Sequence, residues 1–338
     1  MLAAGEEVSR FESEFASYCR AEYGVATANG TAALHAALAA LGISRGDRVL
    51  TTPFSFVATA NAVRFCNAEP VFADVDPETF NLDPAAVEER IAELDGGIDA
   101  ILAVHLYGLP AEMDKLREIA TAHDVPLIED AAQAHGAVYR GGRVGSLGDV
   151  ACFSFYPTKN MTTGEGGMIV TDRDDIAARA RSFINHGRDE GGGGGYEHPR
   201  VGHNFRMTNL AAAIGRVQLK RLPGFITSRR DNAERLAAAL DGLPVAPPVE
   251  PAYTRHVYHQ FTVRCADRDR LADHLDSRGV DTGVYYPTPI HEQPPYRGAA
   301  SAPVAERLAD EVLSLPVHQN LSPADLATIE AALESYQQ

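Results

Sequence analysis

The fold class of this chain is decided by residues 100–130, AILAVHLYGLPAEMDKLREIATAHDVPLIED. Apolar runs at 100–108 and 125–130 predict two β-strands. The segment between them predicts a helix over 110–124, which opens with Pro110 at the first helical position, where proline is favoured. A strand, a helix and a second strand in this order are typical of two parallel strands joined by a crossover helix.

The same alternation continues on both sides of this unit, from about residue 25 to residue 185. Residues 31–41 predict a helix, because Leu34, Leu38 and Leu41 recur at the spacing i, i+4 and i+7. Further strands are predicted at 49–54, 70–76, 150–155 and 167–172. We therefore predict an α/β domain whose mainly parallel sheet is covered by helices.

The pattern changes after residue 185. Within residues 186–206, the five consecutive glycines Gly191–Gly195 predict a mobile surface loop, since such a run cannot hold a regular element. The next predicted elements are long helices in TNLAAAIGRVQLKRL and ITSRRDNAERLAAALDGL, a strand in HQFTVRC, and helices in ADRDRLADHLDSRG and SPADLATIEAALESY. We expect a large domain over residues 1–239 and a smaller α+β domain over residues 240–338.

Composition excludes several classes of protein. The 338 residues include 46 Asp plus Glu against 30 Lys plus Arg, and the net charge of −16 excludes a basic nucleic-acid binder. No apolar run approaches the roughly 18 residues of a membrane span, and the acidic start MLAAGEEVSRFESEF is unlike a signal peptide, so we expect a cytoplasmic protein without membrane contact. The four cysteines are far apart, which indicates neither a disulfide framework nor a zinc site. The acidic excess, together with arginine in place of lysine, fits either a surface adapted to high salt or the codon bias of a GC-rich genome.

Three of the positive residues are lysines, and one of them has an unusual setting. Lys159 lies in FSFYPTKNMTTGEGGMIVT (153–171), in a loop between two apolar predicted strands, and Ser154 precedes it. A lysine whose amine is neutralised by its surroundings can form a Schiff base with an aldehyde. Lys115 and Lys220 fall on predicted helices, where they indicate surface charge.

Two other segments place polar groups at strand ends, where ligands of open α/β sheets bind. In ATANGTAALHAAL (26–38), Gly30 and Thr31 either cap a helix or offer N–H groups and a hydroxyl to a phosphate. In LIEDAAQAHGA (127–137), Asp130 is either a helix cap or the partner of a cationic ring nitrogen, and Gln133 lies one turn further on. A phosphate cradle, a carboxylate and an amine together are what pyridoxal phosphate (PLP) requires.

The chain resembles the DegT/DnrJ/EryC1/StrS aminotransferases, PLP enzymes that act mainly on keto-sugars attached to nucleotides. The resemblance runs from about Gly5 to the C-terminus, and its motifs occur in order: NGTAALHAAL, TTPFSFVATANAV, PVFADVDPETFNLDP, LIEDAAQAHGA, GDVACFSFYPTKNMTTGEGGMIVT, VGHNFRMTNLAAAIGRVQL and LSLPVHQNLS. It implies the fold type I architecture of aspartate aminotransferase, with a mainly parallel seven-stranded sheet, and a homodimer with shared active sites. Family members usually extend further before the position of Gly5, which leaves open a truncated sequence or a more open pocket.

The resemblance also implies a role for each motif residue. Lys159 would bind the cofactor's aldehyde and later move the proton between substrate and cofactor carbons. Asp130 would hold the pyridine nitrogen protonated, Gln133 would bond the phenolic oxygen, and Phe56 would stack on the ring. The phosphate would be bound by Gly30, Thr31 and Ser154, and by Asn204 of the neighbouring subunit.

The implied reaction converts a nucleotide-linked keto-sugar into the amino-sugar, with L-glutamate as the donor. RMTNLAAAIGRVQL is similar to relatives that aminate a 4-keto-6-deoxyhexose, such as perosamine synthases. A 3-keto-sugar or an aminocyclitol precursor is the alternative substrate, and a non-catalytic regulatory protein on the same fold is the rival hypothesis. The candidate substrate contacts are His186, Arg188 and His198 around the glycine run and, in YYPTPIH, Tyr286 and His291. The histidines of HVYH (256–259) have no carboxylate near them in sequence, so no metal site is predicted.

Overall fold

The computed structural model describes residues 4–188, 197–298 and 300–336, so the run Gly191–Gly195 lies outside the described residues. The strands are β1 (Tyr23–Thr27), β2 (Arg48–Thr51), β3 (Glu69–Phe72), β4 (Ala100–Val104), β5 (Leu127–Asp130), β6 (Val138–Tyr139), β7 (Gly142–Arg143), β8 (Val150–Ser154), β9 (Gly167–Thr171), β10 (Thr254–Arg255), β11 (Phe261–Arg264) and β12 (Val312–Leu315). The helices are α1 (Glu6–Cys19), α2 (Gly30–Leu41), α3 (Ala58–Phe65), α4 (Pro84–Glu93), α5 (Met113–Ala122), α6 (Asp174–Ile184), α7 (Asn209–Ala239), α8 (Arg268–Asp276), α9 (Pro303–Glu311) and α10 (Pro323–Glu334).

A seven-stranded sheet forms the centre of the molecule, in the order β1-β9-β8-β5-β4-β2-β3. The pairs β8–β5, β5–β4, β4–β2 and β2–β3 are parallel, and β9 runs antiparallel to both of its neighbours. This confirms the prediction of a mainly parallel α/β sheet. The strand β1 was not predicted, because YGVAT is short and its pairing partner β9 lies more than a hundred residues further along the chain.

Helices cover both faces of this sheet, so its strands are apolar nearly throughout. On one face, α2 and α6 pack over residues such as Leu102, Ile128 and Ile169. On the other face, α1 and α7 pack over the end of the sheet that contains β8 and β9, where Phe153 and Met168 are fully buried. The layers hold the carboxyl ends of β4, β5 and β8 side by side.

One predicted helix and the strand before it are shorter than expected. The helix predicted over 110–124 begins at Met113 rather than at Pro110, because the preceding backbone is used elsewhere: the Ala111 N–H donates to His105 Nδ1. The strand predicted over 100–108 ends at Val104, because a 3-10 turn follows it at Leu106–Gly108.

The two long helices predicted after residue 206 are one continuous helix, α7, with Pro223 inside it. Proline lacks an N–H and disfavours a helix interior, so the sequence pattern indicated a break. The structure instead buries Leu219 and Leu222 before the proline and Ile226 after it. Tertiary packing on both sides of Pro223 therefore outweighs the local preference.

The C-terminal part builds an α+β layer on an antiparallel pair of strands, β11 and β12. Its core combines Phe261 and Leu313 from the strands, Leu271 from α8 and Leu333 from α10 with Leu236 near the end of α7. The division of the chain at residues 239 and 240 stays a prediction. Among the described residues, no helix is long and apolar enough to span a membrane.

Candidate active site

A cavity of about 1250 Å³ lies at the carboxyl ends of the central strands. The last residues of three strands line it: Val104 of β4, Asp130 of β5 and Ser154 of β8. The cavity brings together eight of the residues singled out from the sequence: Gly30, Thr31, Phe56, Asp130, Gln133, Ser154, Lys159 and Tyr286. Their individual roles stay predictions.

The N-terminus of α2 approaches the end of β8 closely enough to require glycine. A Cβ atom on Gly30 would lie 2.7 Å from the Ser154 Cβ, so no larger residue fits there without displacement. Asn29 caps the helix, since its side chain accepts a hydrogen bond from the Ala32 N–H at 2.8 Å. Thr31 and Ser154 line the cavity beside this helix N-terminus, an arrangement that suits an anion.

Asp130 is a buried carboxylate at the end of β5. Its Oδ2 accepts a hydrogen bond from the Thr59 hydroxyl at 2.8 Å, and its Oδ1 accepts one from the Ala132 N–H at 3.2 Å. Burial raises the pKa of Asp130, while the hydrogen bonds and the nearby charge of Lys159 oppose that rise. These two donors fix the orientation of the carboxylate. A fixed orientation suits a carboxylate that pairs with a cationic atom of a ligand.

Lys159 lies in a tight turn after β8. Its backbone N–H donates to the Tyr156 carbonyl at 2.9 Å. The loop is held further by the Thr162 hydroxyl and the Thr163 N–H, which both donate to the Phe155 carbonyl, at 2.9 and 3.0 Å. Burial lowers the pKa of the Lys159 amine to about 8, although Asp130 acts in the opposite direction. About a tenth of the amine is therefore neutral at pH 7, a far larger fraction than in an exposed lysine.

The Gln133 side chain lines the cavity and bonds to two tyrosines. Its Oε1 accepts from the Tyr107 N–H at 2.6 Å, and its Nε2 donates to the Tyr286 hydroxyl at 3.1 Å. The ring of Tyr286 lies 6.1 Å from that of Phe56, which is more than half exposed. The aromatic pair leaves Phe56 accessible to a planar ligand.

Other predicted contacts lie elsewhere among the described residues. His186, Arg188, His198 and Asn204 do not line the cavity. The His198 Nδ1 bonds to the His186 carbonyl at 2.9 Å, and the Asn204 Oδ1 accepts from Arg206 at 2.9 and 3.1 Å. Their roles as ligand contacts stay predictions.

His291 lines a second cavity, of about 510 Å³. It bonds through Nε2 to Glu306 at 3.0 Å, and together with Glu292 these residues bring potential metal-ligand atoms within 4.8 Å of one another. Sequence reasoning missed this cluster, because Glu306 comes from a separate helix.

The first histidine of HVYH is buried. Burial lowers the pKa of His256 to about 3, and its Nδ1 accepts a hydrogen bond from the Tyr258 N–H at 2.9 Å.

Several residues that line the main cavity were not singled out from the sequence: Thr59, Arg229, His318, Gln319 and Asn320. Thr59 lies within TTPFSFVATANAV, and His318, Gln319 and Asn320 lie within LSLPVHQNLS, so the motifs themselves were a usable signal. Arg229 had no such signal, because an arginine in a predicted helix resembles ordinary surface charge.

Three curated relatives are similar over nearly the whole chain. A pleiotropic regulatory protein of Geobacillus stearothermophilus is 42% identical over 94% of this chain and 86% of its own length. A GDP-perosamine synthase of Caulobacter vibrioides is 42% identical over 98% and 90%. A dTDP-3-amino-3,4,6-trideoxy-alpha-D-glucose transaminase of Streptomyces venezuelae is 42% identical over 98% and 87%. Relatives with three different names thus match equally well.

A solved structure matches the fold just as fully. DesV of S. venezuelae, determined in complex with a ketimine intermediate, superposes with a TM-score of 0.94 at 40% identity, over 99% of this chain and 90% of that chain. The sheet order, with a lysine and a carboxylate at the strand ends, defines an aminotransferase of the fold type I class. The model of the DegT/DnrJ/EryC1/StrS aminotransferase family matches residues 1–334, and the chain belongs to this family.

Proposed function

We propose that this aminotransferase uses PLP to convert a nucleotide-linked 4-keto-6-deoxyhexose into the corresponding amino-sugar, with L-glutamate as the amino donor. The observation that carries the proposal is that Lys159, Asp130 and the Gly30–Ser154 contact meet in one cavity at the strand ends. Each provides one of the groups that PLP requires: an amine, a carboxylate and an anion cradle.

When bound, PLP supplies an aldehyde that an amine can attack and a ring that accepts electrons. The protein supplies the rest. The Lys159 Nζ, being partly neutral, would move a proton from the donor carbon to the cofactor carbon, and in the second half-reaction from the cofactor carbon to the sugar carbon. Asp130, whose carboxylate accepts from Thr59 and Ala132, would favour the protonated form of the cofactor's ring nitrogen. Asn204 of the partner subunit would complete the cradle.

The choice of sugar carbon rests on the likeness of RMTNLAAAIGRVQL to 4-keto relatives. The overall identities of the relatives do not favour it, because a perosamine synthase and a 3-amino-sugar transaminase are both 42% identical to this chain. A 3-keto-sugar or an aminocyclitol precursor therefore remains the alternative substrate. The cytoplasmic location stays a prediction from the sequence.

The first experiment asks whether the chain uses PLP at all. Protein reconstituted with PLP is expected to show the visible absorption band of a lysine-bound cofactor, and L-glutamate should bleach it. Lys159→Ala should lack the band, whereas Lys220→Ala, on the exposed side of α7, should retain it. Wild-type protein that takes up no PLP would favour the rival hypothesis of a regulatory protein.

The second experiment identifies the sugar. Loaded enzyme and L-glutamate are incubated with a panel of 4-keto and 3-keto nucleotide sugars, and the products are analysed by mass spectrometry and NMR. We expect amination at C4. Amination at C3 alone would reject the proposed position while leaving the aminotransferase chemistry intact.

A further inference from the structure

Arg229 is a buried cation in the wall of the main cavity. It lies on α7, is only 4% exposed and lines the cavity together with Lys159. Its Nε donates to the Gln319 Oε1 at 3.0 Å, and its Nη1 donates to the carbonyls of Tyr258 and His259 at 2.9 and 3.1 Å. All three acceptors are neutral.

Within residues 4–188, 197–298 and 300–336, Arg229 forms no ion pair with a carboxylate, and its Nη2 has no hydrogen-bond partner. Burial lowers the pKa of Arg229 to about 10, so the guanidinium is still charged at neutral pH. A buried charge is costly unless it is paired. Because this charge borders a cavity, a bound anion can provide the missing partner.

The position of Arg229 relative to Lys159 indicates which anion fits. The Arg229 Nη1 donates to the carbonyls of Tyr258 and His259. Asn160, the residue after Lys159, donates through Nδ2 to the carbonyl of the adjacent Val257 at 3.0 Å, so both cations border the same backbone segment. In an α-amino acid, the carboxylate is bonded directly to the carbon that carries the reacting amine. In a nucleotide sugar, the diphosphate is separated from the keto carbon by much of the sugar ring. An anion site this close to Lys159 therefore suits the carboxylate of the amino donor.

Gln319 completes the arrangement. It follows β12, is partly buried and also lines the cavity. Because its Oε1 accepts from Arg229, its amide Nε2 is the group left to donate to an anion. An arginine nitrogen and an amide nitrogen are both hydrogen-bond donors, which is what a carboxylate requires.

We propose that Arg229 and Gln319 form the subsite that binds the carboxylate of the amino donor. The assignment rests on the proposed function and adds to it the residues that recognise the donor's carboxylate. Arg229 charges the subsite and Gln319 orients it.

The test measures binding of glutarate, a dicarboxylate that lacks an amine, by calorimetry on both PLP-free and PLP-loaded protein. Gln319→Glu keeps an acceptor for Arg229 but places a carboxylate beside it, so the fold should be retained while glutarate binds about 10- to 100-fold more weakly. Arg229→Met should show a similar loss. Inorganic pyrophosphate, which represents the nucleotide side, should bind equally to all variants.

Matched controls come from the same helix. Gln218→Glu adds the same charge outside the cavity, and Arg230→Met removes the neighbouring arginine, which is paired with Glu250 at 2.6 Å. Neither should change glutarate binding.

Undiminished glutarate binding in Gln319→Glu would overturn the assignment, and so would a selective loss of pyrophosphate binding. Failure to bind PLP would instead reject the proposed function, while an Arg229-dependent glutarate site in PLP-free protein would still support the subsite.

Discussion

Lys159 and Asp130 show how burial and short-range contacts tune individual side chains. The amine has its pKa lowered to about 8, and the carboxylate has its pKa raised, by the same cause: both are removed from water. Opposite charges in one cavity partly offset this effect, because each favours the charged form of the other. The cavity therefore contains a partly neutral amine and an oriented carboxylate side by side.

The lowered pKa of Lys159 predicts how cofactor uptake depends on pH. Only the neutral amine attacks an aldehyde, and its fraction rises as the pH increases through about 8. The rate at which PLP-free protein gains its visible band should therefore increase up to about that pH and level off above it. Stopped-flow absorbance would measure this. A rate that climbs steadily toward about pH 10.4, the pKa of an ordinary lysine, would contradict the lowered pKa.

Asp130→Asn tests the carboxylate without changing its size. The amide cannot hold a ring nitrogen protonated, so turnover should fall by more than about 100-fold. The melting temperature of PLP-free protein should not fall, because the change removes a buried charge whose pKa is raised by burial. Steady-state kinetics and thermal melts give the two readouts, and near-wild-type turnover would refute the role of Asp130.

Gly30→Ala tests the anion cradle. The added Cβ would lie 2.7 Å from the Ser154 Cβ, so α2 and the end of β8 must separate. We expect weaker PLP retention and a loss of about 1–3 kcal/mol in the free energy of unfolding. Gly224→Ala is the control, since its Cβ would meet open space and alanine favours a helix. Equal PLP retention in the two variants would count against the cradle.

Among the elements, α7 contributes to two separate core clusters. Its middle packs in the same core cluster as Phe153 of β8, and its end packs with Phe261 of β11. Arg229 lies on α7 between these two regions and borders the cavity. A break in the helix at Pro223 would have separated the two packed regions of α7 from each other.

Pro223→Ala tests the strain that α7 tolerates. Alanine restores the missing N–H, so the free energy of unfolding should rise by about 1–3 kcal/mol, less than the full helix-interior cost because the native packing has adapted to proline. Chemical denaturation would measure the change. A decrease in stability would show that the packing on both sides of Pro223 depends on the proline.

At the scale of the whole molecule, α7 also carries an unusual exposed surface. Leu210, Ile214 and Val217 are 69%, 49% and 58% exposed and recur on one face of the helix. The stripe begins a few residues after Asn204, which does not line the cavity of its own chain. Both features support the homodimer that the family resemblance implies, with Asn204 serving the partner's site.

Ile214→Glu should therefore shift the protein from dimer to monomer and reduce PLP retention, because a charge would be buried in the shared surface. Sedimentation equilibrium measures the first effect and absorbance after dialysis the second. Thr227→Glu, exposed elsewhere on α7, should change neither. A monomeric variant with full PLP retention would contradict a shared site.

By itself, the sequence determined the α/β class, most strands of the sheet and the placement of Lys159 and Asp130 at strand ends. These features are local, because periodicity reports which face of a segment is buried and strand ends follow from it. The motifs of the family added Phe56 and Asn204 to the predicted site and assigned roles to Gly30, Gln133 and Ser154.

Only the tertiary structure decided which distant segments meet. It inserted β9 antiparallel between β1 and β8, joined two predicted helices into α7, and brought Thr59 to Asp130 and Gln319 to Arg229. These outcomes depend on strand order and on packing between residues far apart in the chain, and no local pattern encodes either. Arg229 is the clearest case, since its sequence neighbourhood is that of a surface helix and only its burial against the cavity reveals an unpaired charge.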